Sequence, residues 1–191
     1  MKNLKVFTAM ATLSIILFSS CKKNDPANNP DGTLTQFGVK QGTIVYNSQD
    51  GTETVFFDNY GKQFRLETKY AGDDGIYILD EIAQKAYYLY VATKTYQEMP
   101  LVDVQGLRGI ITFEETEYIL AGMKKSTQTI AGKSCTVYTG TYRDVTAGIG
   151  GWNGIIFLLT DNGGDTLRAT SFSETIPANM FTLPSGYTKQ Q

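Results

Sequence analysis

The sequence predicts a mainly β domain: a curved antiparallel sheet or incomplete β-barrel with one short helix. Three observations carry this. Turn-forming clusters punctuate the chain at Asp50-Gly51, Asp58-Asn59-Tyr60-Gly61, Asp73-Asp74-Gly75 and Asn162-Gly163, each offering residues that tolerate a positive φ. The runs between them are rich in Val, Ile, Thr, Tyr and Phe, the residues that fit a pleated surface. The segment Lys62 to Tyr70 alternates with period two, Phe64 and Leu66 on one side and Arg65 and Glu67 on the other, which marks a strand.

Taken in order, Gly42 to Asn47 and Glu53 to Phe57 form the first hairpin, and Lys62 to Tyr70 returns beside them. Ile76 to Leu79 reads as a short strand and Lys85 to Val91 as a long one. Within the latter, Tyr87, Leu89 and Val91 share one side while Tyr88 and Tyr90 share the other. Apolar bulk on both sides predicts a central strand covered on each face. Thr112-Phe113-Glu114-Glu115 has the form of a capping box, with Thr112 as cap, so a helix is expected from about Phe113 to Ala121, closed by Gly122. Ser134 to Tyr142, Ile155 to Thr160 and Thr166 to Phe172 are further strands, the last two joined at Asn162-Gly163. Gly148-Ile149-Gly150-Gly151 is expected to be a flexible loop, because glycine packs nothing and loses most entropy in a ladder. Pro177 and Pro184 interrupt the C-terminal stretch, leaving Met180-Phe181 to plug an open end.

The N-terminal residues address location. Lys2 and Lys5 precede the apolar run Val6 to Phe18, which is too short to span a bilayer. Ser19-Ser20-Cys21 then supplies two small residues and a thiol. The pattern resembles the lipobox of bacterial lipoproteins, with Phe18 where an aliphatic residue is usual. The resemblance implies that residues 1–20 are a lipoprotein signal peptide, that Cys21 is lipidated, and that its acyl chains are the anchor to the membrane. Lys22, where an acidic residue would favour inner-membrane retention, points by the same resemblance to the outer membrane. Residues 21–36, rich in Lys, Asn, Asp and Gly and broken by Pro26 and Pro30, read as a tether. Residues 37–191 make one β-rich domain.

Composition excludes much chemistry. Lys and Arg number 17 against 19 Asp and Glu, and no basic block follows a phosphate backbone, so nucleic acid is not a partner. The chain has no histidine, which removes histidine triads, histidine bases and most catalytic zinc sites. With Cys21 carrying lipid, Cys135 has no disulfide partner, and its place in Cys135-Thr136-Val137-Tyr138 suits a strand core. Asp161-Asn162-Gly163-Gly164-Asp165 lacks the closing Glu of a calcium loop and reads as a hairpin turn. Glu114, Glu115 and Glu117 are a weak pair-of-acids candidate, better explained by a helix start. No cofactor, metal or catalytic residue is expected.

Four local patterns belong together: Gly61 to Glu67 (GKQFRLE), Lys94 to Glu98 (KTYQE), Thr129 to Tyr138 (TIAGKSCTVY) and Phe181 to Tyr187 (FTLPSGY). Their order and spacing resemble a family of uncharacterised exported bacterial domains, similar in turn to the lipoprotein carrier and receptor (LolA/LolB-like) fold. That resemblance implies a half-barrel with an apolar cavity, and a lipid or acyl-chain ligand held against Phe64, Leu66, Tyr87 and Leu89. The alternative expectation is an interaction or scaffold module that binds protein or glycan through exposed aromatics, with Trp152 and the 12 tyrosines as candidate platforms.

Overall fold

The computed structural model describes residues 36–142 and 144–190; Cys21 and the signal and tether segments lie outside them. Among the described residues twelve strands form one open sheet. The first six are β1 (Gly42–Ser48), β2 (Gly51–Asp58), β3 (Gln63–Tyr70), β4 (Asp73–Asp80), β5 (Lys85–Tyr90) and β6 (Thr95–Glu98). After two helices come β7 (Lys124–Ile130), β8 (Lys133–Tyr142), β9 (Val145–Trp152), β10 (Ile155–Asp161), β11 (Gly164–Ser173) and β12 (Thr188–Lys189).

The spatial order is β12-β6-β5-β4-β3-β2-β1-β11-β10-β9-β8-β7. Two antiparallel meanders therefore meet where β11 returns beside β1. Only the β12–β6 pair is parallel. Ala131-Gly132, Asn153-Gly154 and Asn162-Gly163 each close a two-residue hairpin with both φ angles positive, the primed turn whose twist matches the flanking strands.

One core joins strands far apart in this order. Ile44, Val55, Phe57, Phe64, Leu66, Leu79 and Ala86 pack in the same cluster as Ile155, Phe157, Leu167 and Ala169. The Tyr46 hydroxyl crosses from β1 to donate to the Ile156 carbonyl at 2.7 Å. A sheet whose face closes on itself in this way is curved, and the curvature is sharpened by register shifts in β1, β10 and β11.

The helical segment fills that face. Helix α1 (Leu101–Ile110) inserts fully buried Val104 into the main core. Ile111 then accepts at its carbonyl from the Ile156 amide, and the Phe113 amide donates to the Gly154 carbonyl, so the inter-helix link is pinned to β10. Helix α2 (Glu115–Leu120) lays Tyr118 into a second cluster with Phe113, Tyr138, Ile149 and Ile156.

Five expectations need correction. Asp73-Asp74-Gly75 is strand, not turn: β4 begins at Asp73, which pairs with Tyr70, and the chain reverses at Ala71-Gly72, where Gly72 takes a positive φ. Helix α1 was not expected, because Gly106 and Gly109 depress local propensity; burial of Val104 and the bonds of Arg108 form it nonetheless. The capping box does not form: Thr112 Oγ1 instead donates to the Arg108 carbonyl and accepts from Gln36 Nε2, and α2 starts after an extended Glu114 with no side-chain cap. Gly148 to Gly151 is strand, not loop. A Cβ on Gly151 would stand 2.1 Å from the Phe113 ring, so glycine there admits the aromatic against bare backbone. Lastly, Met180 and Phe181 do not plug an open end. They belong to the crossover from β11 to β12, which runs over the outer face of β2–β5, where Arg65 Nη1 donates to the Met180 carbonyl at 3.2 Å.

Candidate functional site

Residues directly opposite one another on neighbouring strands project from the same side of a sheet. Phe64 faces Leu79, which faces Ala86; Leu66 faces Tyr77, which faces Tyr88. That side is the inner one, shared with α1. Arg65 faces Ile78, which faces Tyr87, and Glu67 faces Ile76, which faces Leu89. That side is the outer one, under the C-terminal crossover. The four residues expected to line one cavity are therefore split, Phe64 and Leu66 inside, Tyr87 and Leu89 outside. Phe64 and Leu89 are wholly buried. Two surface clefts, of about 640 and 500 Å³, are lined by none of the four.

What the inner face does present lies beyond α1, at the ends of the strands that carry the turns at residues 48–51, 70–73 and 90–95. Tyr70, Tyr77, Tyr88 and Tyr90 are all half-buried there. The Tyr77 and Tyr88 rings lie 4.6 Å apart, and Tyr90 meets Tyr88 edge to face at 4.6 Å. Gly75, directly opposite Tyr90, keeps this surface low: a Cβ would meet the Tyr88 hydroxyl at 2.7 Å. Thr68, Thr95 and Gln97 share the side by register.

A carboxyl edges this tyrosine face. Glu53 faces Thr68 across the β2–β3 pair and Tyr46 across β1–β2, and it accepts a hydrogen bond from the Tyr70 hydroxyl. Burial lifts its pKa above the ordinary 4.5, the Tyr70 bond pulls it partly back, and the Asp50 charge raises it again. Burial and the Glu53 charge push the Tyr70 hydroxyl far above its ordinary 10.0. The site thus combines half-buried ring surface with the Tyr70 hydroxyl and Glu53 carboxyl bonded to each other, beside Thr68, Thr95 and Gln97.

The remaining candidates have structural roles. Trp152 is half-buried, packed at a corner against Phe157 and Phe172 with Lys133 Nζ 4.4 Å from its ring centroid. Glu115 accepts from the Tyr138 hydroxyl and pairs with Lys125, and Glu117 accepts from the Tyr142 hydroxyl. Those bonds tie α2 to β7 and β8. Cys135 is buried, which pushes its thiol pKa up and disfavours the thiolate. Asp161 to Asp165 forms the β10–β11 hairpin, with Arg168 on the Asp165 carboxylate. Among the described residues no group of three or more His, Cys, Asp or Glu is placed to hold a metal.

Sequence reading missed the tyrosine face because alternation identifies partners within a strand, not between strands. The signal was present in Tyr88 and Tyr90, assigned to one side of β5 and opposite to Tyr87.

No family model matches this chain, and no curated protein does. Among solved structures, an uncharacterised conserved protein from Thermus thermophilus is similar with a TM-score of 0.50 at 10% identity, over 78% of this chain and 88% of that one. PNGF-II, in its C2 and P21 crystal forms, is similar with a TM-score of 0.46 at 11% and 12% identity. That match takes in 80% of this chain but 31% of PNGF-II. At such identities the Thermus likeness shows the curved β fold alone.

Proposed function

We propose that this chain is a non-enzymatic envelope lipoprotein, held at the outer membrane by lipid on Cys21, whose β domain binds saccharide at the tyrosine face. The observation that supports the reading is the grouping of Tyr70, Tyr77, Tyr88 and Tyr90 on the inner side beyond α1, with Glu53 at its edge. Ring faces stack on the apolar faces of sugars, and fixed polar groups meet the hydroxyls. A lipid or acyl chain needs a dry apolar slot instead, and the four residues put forward for one are on opposite faces. Among the described residues no helix is long and apolar enough to cross a membrane.

The test is a glycan array probed with the unlipidated Cys21→Ser protein, followed by titration of the best ligand. Tyr88→Ala and Tyr90→Ala should each weaken binding by about threefold to tenfold, the equivalent of ~0.5–1.5 kcal/mol for an aromatic contact. Trp152→Ala, if folded by circular dichroism, should leave the affinity unchanged. Absence of any saccharide ligand, or affinity indifferent to Tyr88 and Tyr90, would defeat the proposal.

A further inference from the structure

Glu53, Thr68, Gly75 and Tyr90 stand directly opposite one another across β2, β3, β4 and β5, a single row on the inner side. Only Thr68 and Gly75 separate the carboxyl from the rings. Thr68 is buried; its hydroxyl oxygen accepts from the Gly75 amide at 3.2 Å, and the hydroxyl lies 3.4 Å from the Gly75 carbonyl oxygen. The floor between is therefore low. Neighbouring strands are about 4.8 Å apart, so Glu53 stands roughly 10 Å from Gly75, over which the Tyr88 hydroxyl leans. Tyr70 holds the carboxyl by donating to Oε1, and Oε2 accepts no bond among the described residues.

The charges around this row have one sign. By register the inner side of β1 to β6 carries no Lys or Arg. Arg65 and Lys69 stand opposite Phe56 and Thr52 on the outer side, and Lys85 opposite Asp80 is outer too. Arg168 stands opposite Asn47, away from Tyr46 and Glu53, and is held by Asp165. Lys94 lies in the β5–β6 turn, four strand spacings from Glu53, on the order of 15–20 Å, beyond the ~8 Å screening length of physiological salt. Asp50, exposed in the β1–β2 turn, adds its negative charge to the field at Glu53.

We infer that the tyrosine face takes saccharides that carry free amino groups, one sugar stacked on Tyr88 and Tyr90 while the amine of its neighbour donates to Glu53. The inference rests on the saccharide reading and narrows it. A protonated amine finds a carboxylate acceptor, and the tyrosine ring faces attract the same charge. A uronate or sulfate would instead meet Glu53 and Asp50 with no Lys or Arg on these strands to offset the repulsion. An N-acetylated or hydroxyl-only sugar keeps the stacking and loses the charged bond.

The test is calorimetric titration of the Cys21→Ser protein, near neutral pH, with β-1,4-linked tetramers of glucosamine, N-acetylglucosamine, glucose and glucuronate. The glucosamine tetramer should bind about tenfold tighter than the two neutral ones, the increment of one hydrogen bond to a charged group, and glucuronate weakest of all. Glu53→Gln should bring glucosamine down to the glucose value while moving glucose by no more than about twofold. Should that variant fail to fold, the ranking shown by the parent decides alone. Equal affinity for amino and neutral tetramers, or an amine preference that survives Glu53→Gln, would overturn the inference and leave the saccharide reading standing. Failure to bind the glucosamine tetramer, or tetralysine bound as tightly, would overturn it too. A glycan array without any ligand would overturn both readings.

Discussion

Replacing Gly151 with alanine tests whether the helical segment is seated on bare backbone. Gly151 stands opposite Ile156 on β10 and Thr136 on β8. An added Cβ would lie 2.1 Å from Phe113 Cγ and 2.5 Å from both Cδ atoms. Carbon atoms pack at about 3.5–4.0 Å, so the ring would have to retreat by roughly 1.5 Å. It is hemmed in, buried with Tyr118 at 5.5 Å and Tyr138 at 6.3 Å between ring centroids. Two effects then compete. Alanine narrows the unfolded ensemble, a gain of about 0.4–1 kcal/mol, whereas overpacking a closed core costs ~1–3 kcal/mol. The second wins, for a net loss of about 1–2 kcal/mol. Urea denaturation of the Cys21→Ser protein should show this as a lower midpoint with an unchanged slope. Phe113→Ala alone should cost ~3–5 kcal/mol. Because it also removes the clash, the double variant should be less destabilised than the sum by about 1 kcal/mol. A Gly151→Ala protein as stable as its parent, or strictly additive losses, would refute the contact argument.

Gly106 is the opposite case: it lies inside α1 with nothing within 4 Å of its added Cβ. Gly106→Ala should stabilise by ~0.5–1 kcal/mol and raise the thermal midpoint by a few degrees, measured by circular dichroism. Glu53 makes stability pH-dependent with a definite sign. Its folded pKa is raised above 4.5, so its favourable contribution is complete below that value and lost as pH climbs through the raised one. Denaturation midpoints should show Glu53→Gln flattening that decline and gaining on the parent most at neutral pH; an unchanged pH profile would count against the buried carboxyl. Arg65, oriented by Glu67 on the same strand at 2.7 Å, holds the crossover down through the Met180 carbonyl at 3.2 Å. Arg65→Met leaves both acceptors unpaired and should cost about 2–3 kcal/mol while hastening proteolysis between residues 174 and 187. Cleavage at the parental rate would show that the crossover is held by other contacts.

The strands that were legible carry their own signal, whereas β6, β7, β9 and β12 were not assigned from the sequence. Lys62 to Tyr70 alternates, and β3 occupies Gln63–Tyr70; Asn162-Gly163 announces a primed turn, and both φ angles there are positive. Helix α1 was hidden because its two glycines argue against a helix locally, while the burial of Val104 that stabilises it is supplied by strands more than fifteen residues away. The Gly148 to Gly151 run misled in the reverse direction. Low β propensity describes a glycine without neighbours, and here Phe113 takes the space a side chain would fill.

The candidate site divides in the same way. From the sequence alone come the β class, the hairpins at Asp50-Gly51 and Asn162-Gly163, the two sides of β3 and β5, and the expectation of lipid on Cys21. Only the tertiary structure decided which side of one strand joins which side of the next. The phase between strands is set by turn length, register and bulges, and a shift of one residue exchanges the two faces completely. That is why Phe64 and Leu66 share a surface with Tyr88 and Tyr90, and Tyr87 and Leu89 lie on the other side beneath the C-terminal crossover.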